Sequence, residues 1–192
     1  MESVVVDSMR ARFLHLIWII PLVGLILYSI LGIVEEKIYP MTYEDIVMEM
    51  AEEYDLQPSL VFAVIRTESK FDKNAVSPAQ AKGLMQITDD TFRWAQKRAQ
   101  QEEMDPDNLF IPQINIRYGC YILTLLSQQF SDLETVLAAY NAGQGKVNQW
   151  LQDPNCSDDG KTLKHIPYEE TEDYVHRVIN TQLRYQKIYN IP

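Results

Sequence analysis

The chain has 192 residues, enough for one folded domain and a short additional segment. Its 17 basic and 27 acidic residues give a formal net charge of −10, which argues against nucleic acid as a partner because phosphate binding needs a basic surface. Two cysteines and three histidines are too few and too scattered to predict a metal site. No Gly-rich phosphate loop is present either, so neither a metal nor a cofactor is expected.

The N-terminal part of the chain contains a long uncharged run, residues 13–34. As a helix this run would measure about 33 Å, enough to cross the roughly 30 Å hydrocarbon core of a bilayer. Arg10 and Arg12 precede it and Glu35 and Glu36 follow it, which favours a cytoplasmic N-terminus and an exported C-terminal part. The prediction is a cytoplasmic segment (1–12), a single transmembrane anchor (13–34) and a linker (35–41).

Two alternatives exist for this run. A cleavable signal peptide would give a secreted protein, but its apolar part is usually about 7–15 residues long and ends at a pair of small residues. The run here is longer, and its last residues, Leu31 to Val34, offer no good cleavage pair. A buried core helix is the third interpretation. The retained anchor is the prediction carried forward.

The remainder of the chain, residues 42–192, shows helical patterns almost throughout and no sustained strand-like alternation. Thr42 and Asp45 have the spacing of a capping box. Helices are predicted near 42–54, at 58–69, after Thr88, at 112–130, at 133–141 and at 171–189. Gly143 and Gly145 are predicted to close the fifth of these, and 152–164 is predicted to be a surface loop. The predicted fold is a single all-α domain.

Glu68 is the most informative residue of the second predicted helix. Val61, Val64 and Ile65 precede it by seven, four and three residues, so the four side chains share one helix face. Burying an ionised carboxylate on an apolar face is costly, so the pKa of Glu68 is expected to rise toward neutrality, as suits a general acid. The alternative is that Glu68 lies near the surface, in the last turn of the helix, and titrates normally.

Four short motifs follow one another along the chain. They are E-S-K-F from Glu68, G-L-M-Q from Gly83, A-A-Y-N-A-G from Ala138, and I-P-Y-E-E-T from Ile166 with Tyr174 and Val175 beyond it. Each motif alone is weak, but the ordered set resembles the lytic transglycosylases of glycoside hydrolase family 23, whose Slt-type catalytic domain is lysozyme-like. The resemblance covers roughly residues 42–190.

The resemblance implies a helical lysozyme-like domain with a groove for peptidoglycan strands. It implies that Glu68 protonates the glycosidic oxygen between N-acetylmuramic acid and N-acetylglucosamine. The same residue then accepts the proton of the muramoyl C6 hydroxyl as that oxygen attacks C1, which leaves a 1,6-anhydro end. This route needs no second carboxylate, unlike ordinary glycoside hydrolysis.

The resemblance also implies substrate-binding roles. Gln86 and the backbone around Met85 match positions that line the sugar groove. Tyr140 matches a tyrosine that reaches toward the catalytic acid or the substrate, with Asn141 beside it. Core packing is an equally good explanation for the Met85 side chain.

Three further motif residues are candidates at the same groove. Glu170 matches a groove or structural carboxylate, and Tyr174 lies four residues later on the same helix face. Ser69 is expected to cap the helix or to fix the Glu68 carboxyl. Gln80 departs from the resemblance, because the family often has glycine there.

Several alternatives stay open at the level of sequence. A hydrolytic muramidase of the same fold, as in goose-type lysozymes, would use water instead of the C6 hydroxyl. A non-catalytic peptidoglycan-binding module is a rival of another class, and the N-terminal helix could serve an unidentified cell-envelope partner. Cys120 is expected to be a small buried hydrophobe, with a disulfide to Cys156 as the alternative.

Overall fold

A computed structural model describes residues 21–26, 29 and 32–192. Residues 1–20, 27, 28, 30 and 31 lie outside the described residues, and they include the predicted cytoplasmic segment and much of the predicted 13–34 span. Residues 21–26 and 32–38 are helical, and the second of these stretches extends into the predicted 35–41 linker. Within the described part of the chain, no helix combines the length and the apolar character needed to cross a membrane.

The chain divides between Pro40 and Met41 into two units. The second unit is helical, and within residues 41–192 no β-strand forms beyond two isolated bridges around Lys82. The all-α prediction is therefore confirmed. Its helices are α1 (Glu44–Glu53), α2 (Pro58–Ser69), α3 (Asp89–Arg98), a 3₁₀ helix (Pro106–Phe110), α4 (Pro112–Gln129), α5 (Leu133–Ala142), α6 (Gln144–Leu151) and α7 (Glu169–Tyr189).

The ends of these helices follow local chemistry. Pro58 and Pro112 occupy the first turns of α2 and α4, where a missing N–H costs nothing. The Thr88 side chain caps α3 by accepting a hydrogen bond from the Thr91 N–H at 3.3 Å. The predicted capping box at Thr42 is wrong, because Tyr43 precedes α1 in a left-handed conformation (φ 64°) and no side chain caps that helix.

Helix α6 was not predicted from the sequence. Gly143 does end α5 with a φ of 90°, but the chain turns and begins a new helix at once. Val147, Trp150 and Leu151 supply its buried face at spacings of three and four. The two glycines that were expected to close one helix therefore stand at a junction between two.

Helix α2 is the centre of the domain. Its residues from Ser59 to Ile65 are buried on all sides, while residues 66–68 are only partly covered. It packs along α7, where the ring of Phe62 stacks on that of Tyr185 at a centroid distance of 5.3 Å. Burying a side chain of this size contributes about 1.5–3 kcal/mol. The packing thus brings the last turn of α2, with Glu68, to the boundary between core and surface.

Both cysteines of the chain are buried and free. Cys120 is fully buried within α4 and packs as the small hydrophobe that was expected. The alternative of a disulfide to Cys156 is not realised.

Candidate active site

A groove of about 660 Å³ runs across the surface at the end of α2. Its walls come from α2, the loop that follows it, the start of α3, the middle of α4, the junction of α5 with α6 and the start of α7. Five of the residues singled out in the sequence line this groove, namely Glu68, Gln86, Tyr140, Asn141 and Glu170. Residues between Glu68 and Glu170 thus contribute to one surface although the motifs lie far apart in sequence.

Glu68 lies in the last turn of α2, partly buried in the groove wall. Burial raises the pKa of Glu68 to about 7, while the Tyr174 hydroxyl and the positive charge of Arg177 act in the opposite direction. The dominant cause is desolvation, as expected for an acid at the edge of an apolar core. Close to neutral pH, both the protonated and the ionised form of this carboxyl are populated.

Tyr174 lies behind Glu68 on α7. Its side chain is only 3% exposed, and its hydroxyl makes no hydrogen bond of ordinary geometry within the described part of the chain. It is nevertheless close enough to Glu68 to lower the pKa of that carboxyl, so the two groups are neighbours. Burial, and then the charge of Glu68, raise the pKa of Tyr174 well above its usual range.

Tyr140 connects α5 to the G-L-M-Q loop. Its hydroxyl donates a hydrogen bond to the carbonyl oxygen of Met85 at 2.8 Å. Burial raises the pKa of Tyr140 well above its usual range, and the charge of Glu68 adds to this. The hydroxyl therefore stays protonated, and it fixes the loop against the groove wall.

Gln86 follows Met85 in a left-handed conformation with a φ of 48°. Its side-chain Nε2 donates to the carbonyl oxygens of Ala75 at 3.2 Å and Gly83 at 2.8 Å. Since both donors are held by the backbone, Oε1 is the atom that this side chain offers to a ligand.

Asn141 and Glu170 form the opposite side of the groove. The Asn141 Oδ1 accepts a hydrogen bond from the Thr171 hydroxyl at 2.8 Å, which ties the end of α5 to the start of α7. Glu170 is exposed in the first turn of α7, where the helix dipole favours a carboxylate.

Ser69 and Met85 lie behind the groove and not on its lining. The Ser69 hydroxyl is buried, 2.8 Å from the Leu84 carbonyl oxygen and 3.1 Å from that of Ile65, so it joins α2 to the loop. The Met85 side chain is fully buried against Gly119. A Cβ at Gly119 would lie 2.1 Å from the Met85 sulfur, so only glycine leaves room for this methionine.

Asn115 supports the site but was not singled out in the sequence. It is fully buried in α4, and its Oδ1 accepts from the Met85 N–H at 2.7 Å. Its Nδ2 donates to the carbonyl oxygens of Lys82 at 2.9 Å and Leu109 at 2.8 Å. One amide thus satisfies two backbone groups of the loop and one of the 3₁₀ helix. The signal in the sequence for this role was a polar asparagine among the apolar residues of α4, next to Ile116.

Gly83 completes the support of the loop. Its φ of 75° disfavours any side chain, and a Cβ there would lie 2.3 Å from both the Asn115 Nδ2 and the Leu109 carbonyl oxygen. No group of three or more His, Cys, Asp or Glu side chains that could share a metal ion occurs among the described residues. The arrangement offers one carboxylic acid prepared for proton transfer in a groove with amide and hydroxyl groups.

Residues 45–162 match the family model described as the transglycosylase SLT domain. The soluble lytic murein transglycosylase of Salmonella typhimurium is 33% identical over 147 residues, which are 75% of this chain and 23% of that protein. The membrane-bound lytic murein transglycosylase C of Edwardsiella ictaluri is 30% identical over 172 residues, covering 76% of this chain and 47% of that protein. The chain thus spans about a quarter to a half of the length of these relatives.

Solved structures show the same likeness. One is the lytic transglycosylase Slt of Pseudomonas aeruginosa, an inactive mutant with glutamine in place of a glutamate. It has a TM-score of 0.69 and 32% identity, over 80% of this chain and 25% of that one. The 70 kDa soluble lytic transglycosylase of Escherichia coli, also solved with bulgecin A, has a TM-score of 0.71 and 28% identity, over 81% of this chain and 26% of that one. The chain belongs to the transglycosylase SLT domain family, and its domain has the helical, lysozyme-like Slt fold.

Proposed function

We propose that this chain is a peptidoglycan lytic transglycosylase. It cleaves the β-1,4 bond between N-acetylmuramic acid and N-acetylglucosamine and leaves 1,6-anhydromuramoyl ends. The observation that carries the proposal is the position of Glu68, a carboxyl whose pKa burial raises to about 7, in the wall of a groove. Membership of the SLT family and the names of the relatives support it.

Glu68 acts twice in this reaction. The protonated carboxyl gives its proton to the glycosidic oxygen, the bond from C1 to that oxygen breaks, and N-acetylglucosamine leaves as an alcohol. The carboxylate then takes the proton of the muramoyl C6 hydroxyl while that oxygen bonds to C1. This closes the anhydro ring and returns Glu68 to its protonated form. A pKa near the working pH suits a group that must both give and take a proton.

The remaining groove residues bind and orient the strand. The Gln86 amide oxygen, the Asn141 amide and the Glu170 carboxylate suit the hydroxyl and N-acetyl groups of the sugars. Tyr140 lines the groove, but its hydroxyl is bonded to the Met85 carbonyl oxygen. It therefore contacts the strand through its ring and holds the loop in place.

Three of the residues assigned to substrate binding serve the groove from behind in this proposal. Ser69 and Met85 fix the loop that carries Gln86, and Tyr174 adjusts the acidity of Glu68. Proximity of the bound C6 hydroxyl to C1 supplies much of the rate that a second carboxylate would otherwise provide.

The proposal places the domain outside the cytoplasmic membrane. Residues 13–34 act as the anchor, with 1–12 in the cytoplasm, 35–41 as a linker and 42–192 as the catalytic domain. The uncharged run, its basic N-terminal flank and the membrane-bound relatives support this arrangement. Tethering would raise the effective concentration of the enzyme at the wall. Two results would favour the secreted alternative. One is release of the full chain from washed membranes by carbonate extraction, and the other is a mature protein whose N-terminus has been shortened by cleavage.

The test of the activity is release of soluble fragments from purified peptidoglycan. Wild type should release them, and Glu68→Gln, which keeps the shape but removes the proton, should lower the rate at least about 100-fold. Glu169→Gln is the matched control, because Glu169 is an exposed acid beside Glu170 that does not line the groove. Equal rates for wild type and Glu68→Gln would contradict the proposal. Binding without release would favour the non-catalytic module.

A further inference from the structure

Two further cavities adjoin the groove at Glu68. A second cavity of about 260 Å³ shares four lining residues with the groove, namely Thr91, Ile122, Tyr140 and Gly143. A third, of about 380 Å³, shares Trp94, Leu126 and Gln144 with the second. Because each cavity shares wall residues with the next, the three lie side by side along α3 and α4. We name these two further cavities together the Trp94 channel, after the aromatic residue that lines both of them.

One face of α3 forms the first wall of the Trp94 channel. Thr91, Trp94 and Arg98 stand at i, i+3 and i+7, the spacing of residues on one helix face. Thr91 borders the groove, Trp94 borders both further cavities, and Arg98 borders the last one. At the helical rise, the wall extends about 10 Å beyond Thr91.

The opposite wall is built in the same way. Ile122, Leu126 and Gln129 of α4 follow one another at i, i+4 and i+7. Open space lies beside Gly143 at the junction of α5 and α6, since a Cβ there would meet no atom within 4 Å. The two periodic helix faces and the open space beside Gly143 leave room for an extended polymer.

The lining of the channel has the chemistry of a carbohydrate site. Trp94 is partly exposed, and no other described aromatic ring packs against it. A flat indole of this kind suits the apolar face of a sugar ring. Gln128 offers its amide group to hydroxyl and N-acetyl groups, and Gln129, whose Nε2 donates to the Asn148 Oδ1 at 3.3 Å, offers its amide oxygen. Arg98 is exposed at the far end, where its guanidinium suits the carboxylates of muramoyl lactyl or peptide groups.

We propose that the Trp94 channel binds the continuation of the glycan strand at a distance from the bond that is cut, and so makes the enzyme favour long strands. This inference rests on the proposed function, because the occupant is the same polymer that the groove holds. Binding remote from the reacting bond improves cleavage when its energy helps to orient the sugars beside Glu68.

The test compares binding of two purified peptidoglycan fragments, a tetrasaccharide and a dodecasaccharide, by calorimetry. The titrations use the full chain carrying Glu68→Gln, so that no cleavage occurs. We expect the longer fragment to bind more tightly, and the ratio of the two affinities to fall about ten-fold when Trp94→Ala is added. Trp94→Phe keeps a ring and should retain most of the ratio.

Arg98 provides an independent arm with a matched control. Arg98→Ala should also lower the ratio, whereas Lys97→Ala should not, because Lys97 is an exposed neighbour of like charge that does not line the channel. Thermal unfolding of each variant confirms its fold, and the Arg98 arm decides the matter if Trp94→Ala fails to fold. Equal ratios in wild-type and altered channels would overturn the proposal.

Kinetics on the enzyme with Glu68 intact separate the two proposals. If strands are cleaved but kcat/KM depends on strand length identically with and without Trp94→Ala, the channel proposal fails and the proposed function stands. If no strand is cleaved while the Trp94-dependent length preference in binding persists, the proposed function fails and the channel proposal stands.

Discussion

Replacing Glu68 by glutamine should stabilise the folded protein above neutral pH, even though it removes the catalytic acid. The ionised carboxyl is held at the edge of the core, and the burial that raises its pKa disfavours its charged form. Glutamine has nearly the same shape and never carries the charge. The comparison needs no substrate, so it examines the electrostatics of the site separately from its chemistry.

The size of the effect follows from the two pKa values. The carboxyl titrates at about 7 in the folded protein, against an ordinary value of 4.5. Between these values the native state holds the proton more tightly than the unfolded chain, so the free energy of unfolding falls as pH rises through this window. The full difference corresponds to about 3 kcal/mol, and partial exposure of Glu68 reduces it to about 1–3 kcal/mol.

Urea unfolding of wild type and Glu68→Gln at a series of pH values measures this directly. The two proteins should have similar free energies of unfolding at about pH 4, where both side chains are neutral. The variant should gain about 1–3 kcal/mol by about pH 8, with most of the change between pH 4.5 and 7. If the free energies of unfolding of the two proteins changed in parallel between pH 4.5 and 7, or if the variant were less stable at pH 8, the raised pKa of Glu68 would be refuted.

Three further predictions concern the groups around Glu68. Tyr174→Phe should raise the pKa of Glu68, because the hydroxyl lowers it. The alkaline limb of the kcat/KM profile, about ten-fold per pH unit above 7 in wild type, should therefore move to higher pH; an unmoved limb would contradict this. Asn115→Ala should cost about 2–4 kcal/mol in urea unfolding, because it leaves the Met85 N–H and two carbonyls unpaired; a loss below about 1 kcal/mol would show that the amide is dispensable. Gly119→Ala should lower the free energy of unfolding by about 1–3 kcal/mol through overpacking on Met85, measured in the same urea experiment, and an unchanged free energy would mean that the methionine relocates freely.

Much of the fold could be predicted because its signals are local. Pro58 and Pro112 mark helix starts, and the apolar spacing around Glu68 indicated the buried face of α2. Helix α6 could not be predicted in this way. Gly143 and Gly145 are residues that end helices, and only the tertiary packing of Val147 and its neighbours makes the chain resume one.

The sequence predicted which residues form the candidate site better than it predicted where their side chains lie. The order of the motifs identified Glu68 and Gln86 as candidate site residues, and both line the same groove. Whether a side chain faces the groove or supports it depends on packing, which is why Met85 lies behind the lining. Asn115 escaped notice because its three partners are backbone groups, which leave no pattern in the sequence.

Gln80 stands where the family often has glycine, and its backbone conformation explains that preference. It adopts a φ of 61°, the left-handed region that glycine enters freely and that costs other residues about 1 kcal/mol. The frequent glycine in the family fits this backbone, and the chain tolerates glutamine at an exposed turn. Gln80 itself does not line the groove, although Ala79 and Ala81 on either side of it do.

The most direct test of the central claim is mass analysis of the products from purified glycan strands. Wild-type full chain should yield fragments with 1,6-anhydromuramoyl ends, each lighter by one water than a hydrolytic product, and Glu68→Gln should yield almost none. Reducing muramic acid ends would show that water, and not the C6 hydroxyl, completes the reaction. Anhydro ends produced equally by Glu68→Gln would contradict the assignment of Glu68 as the acid.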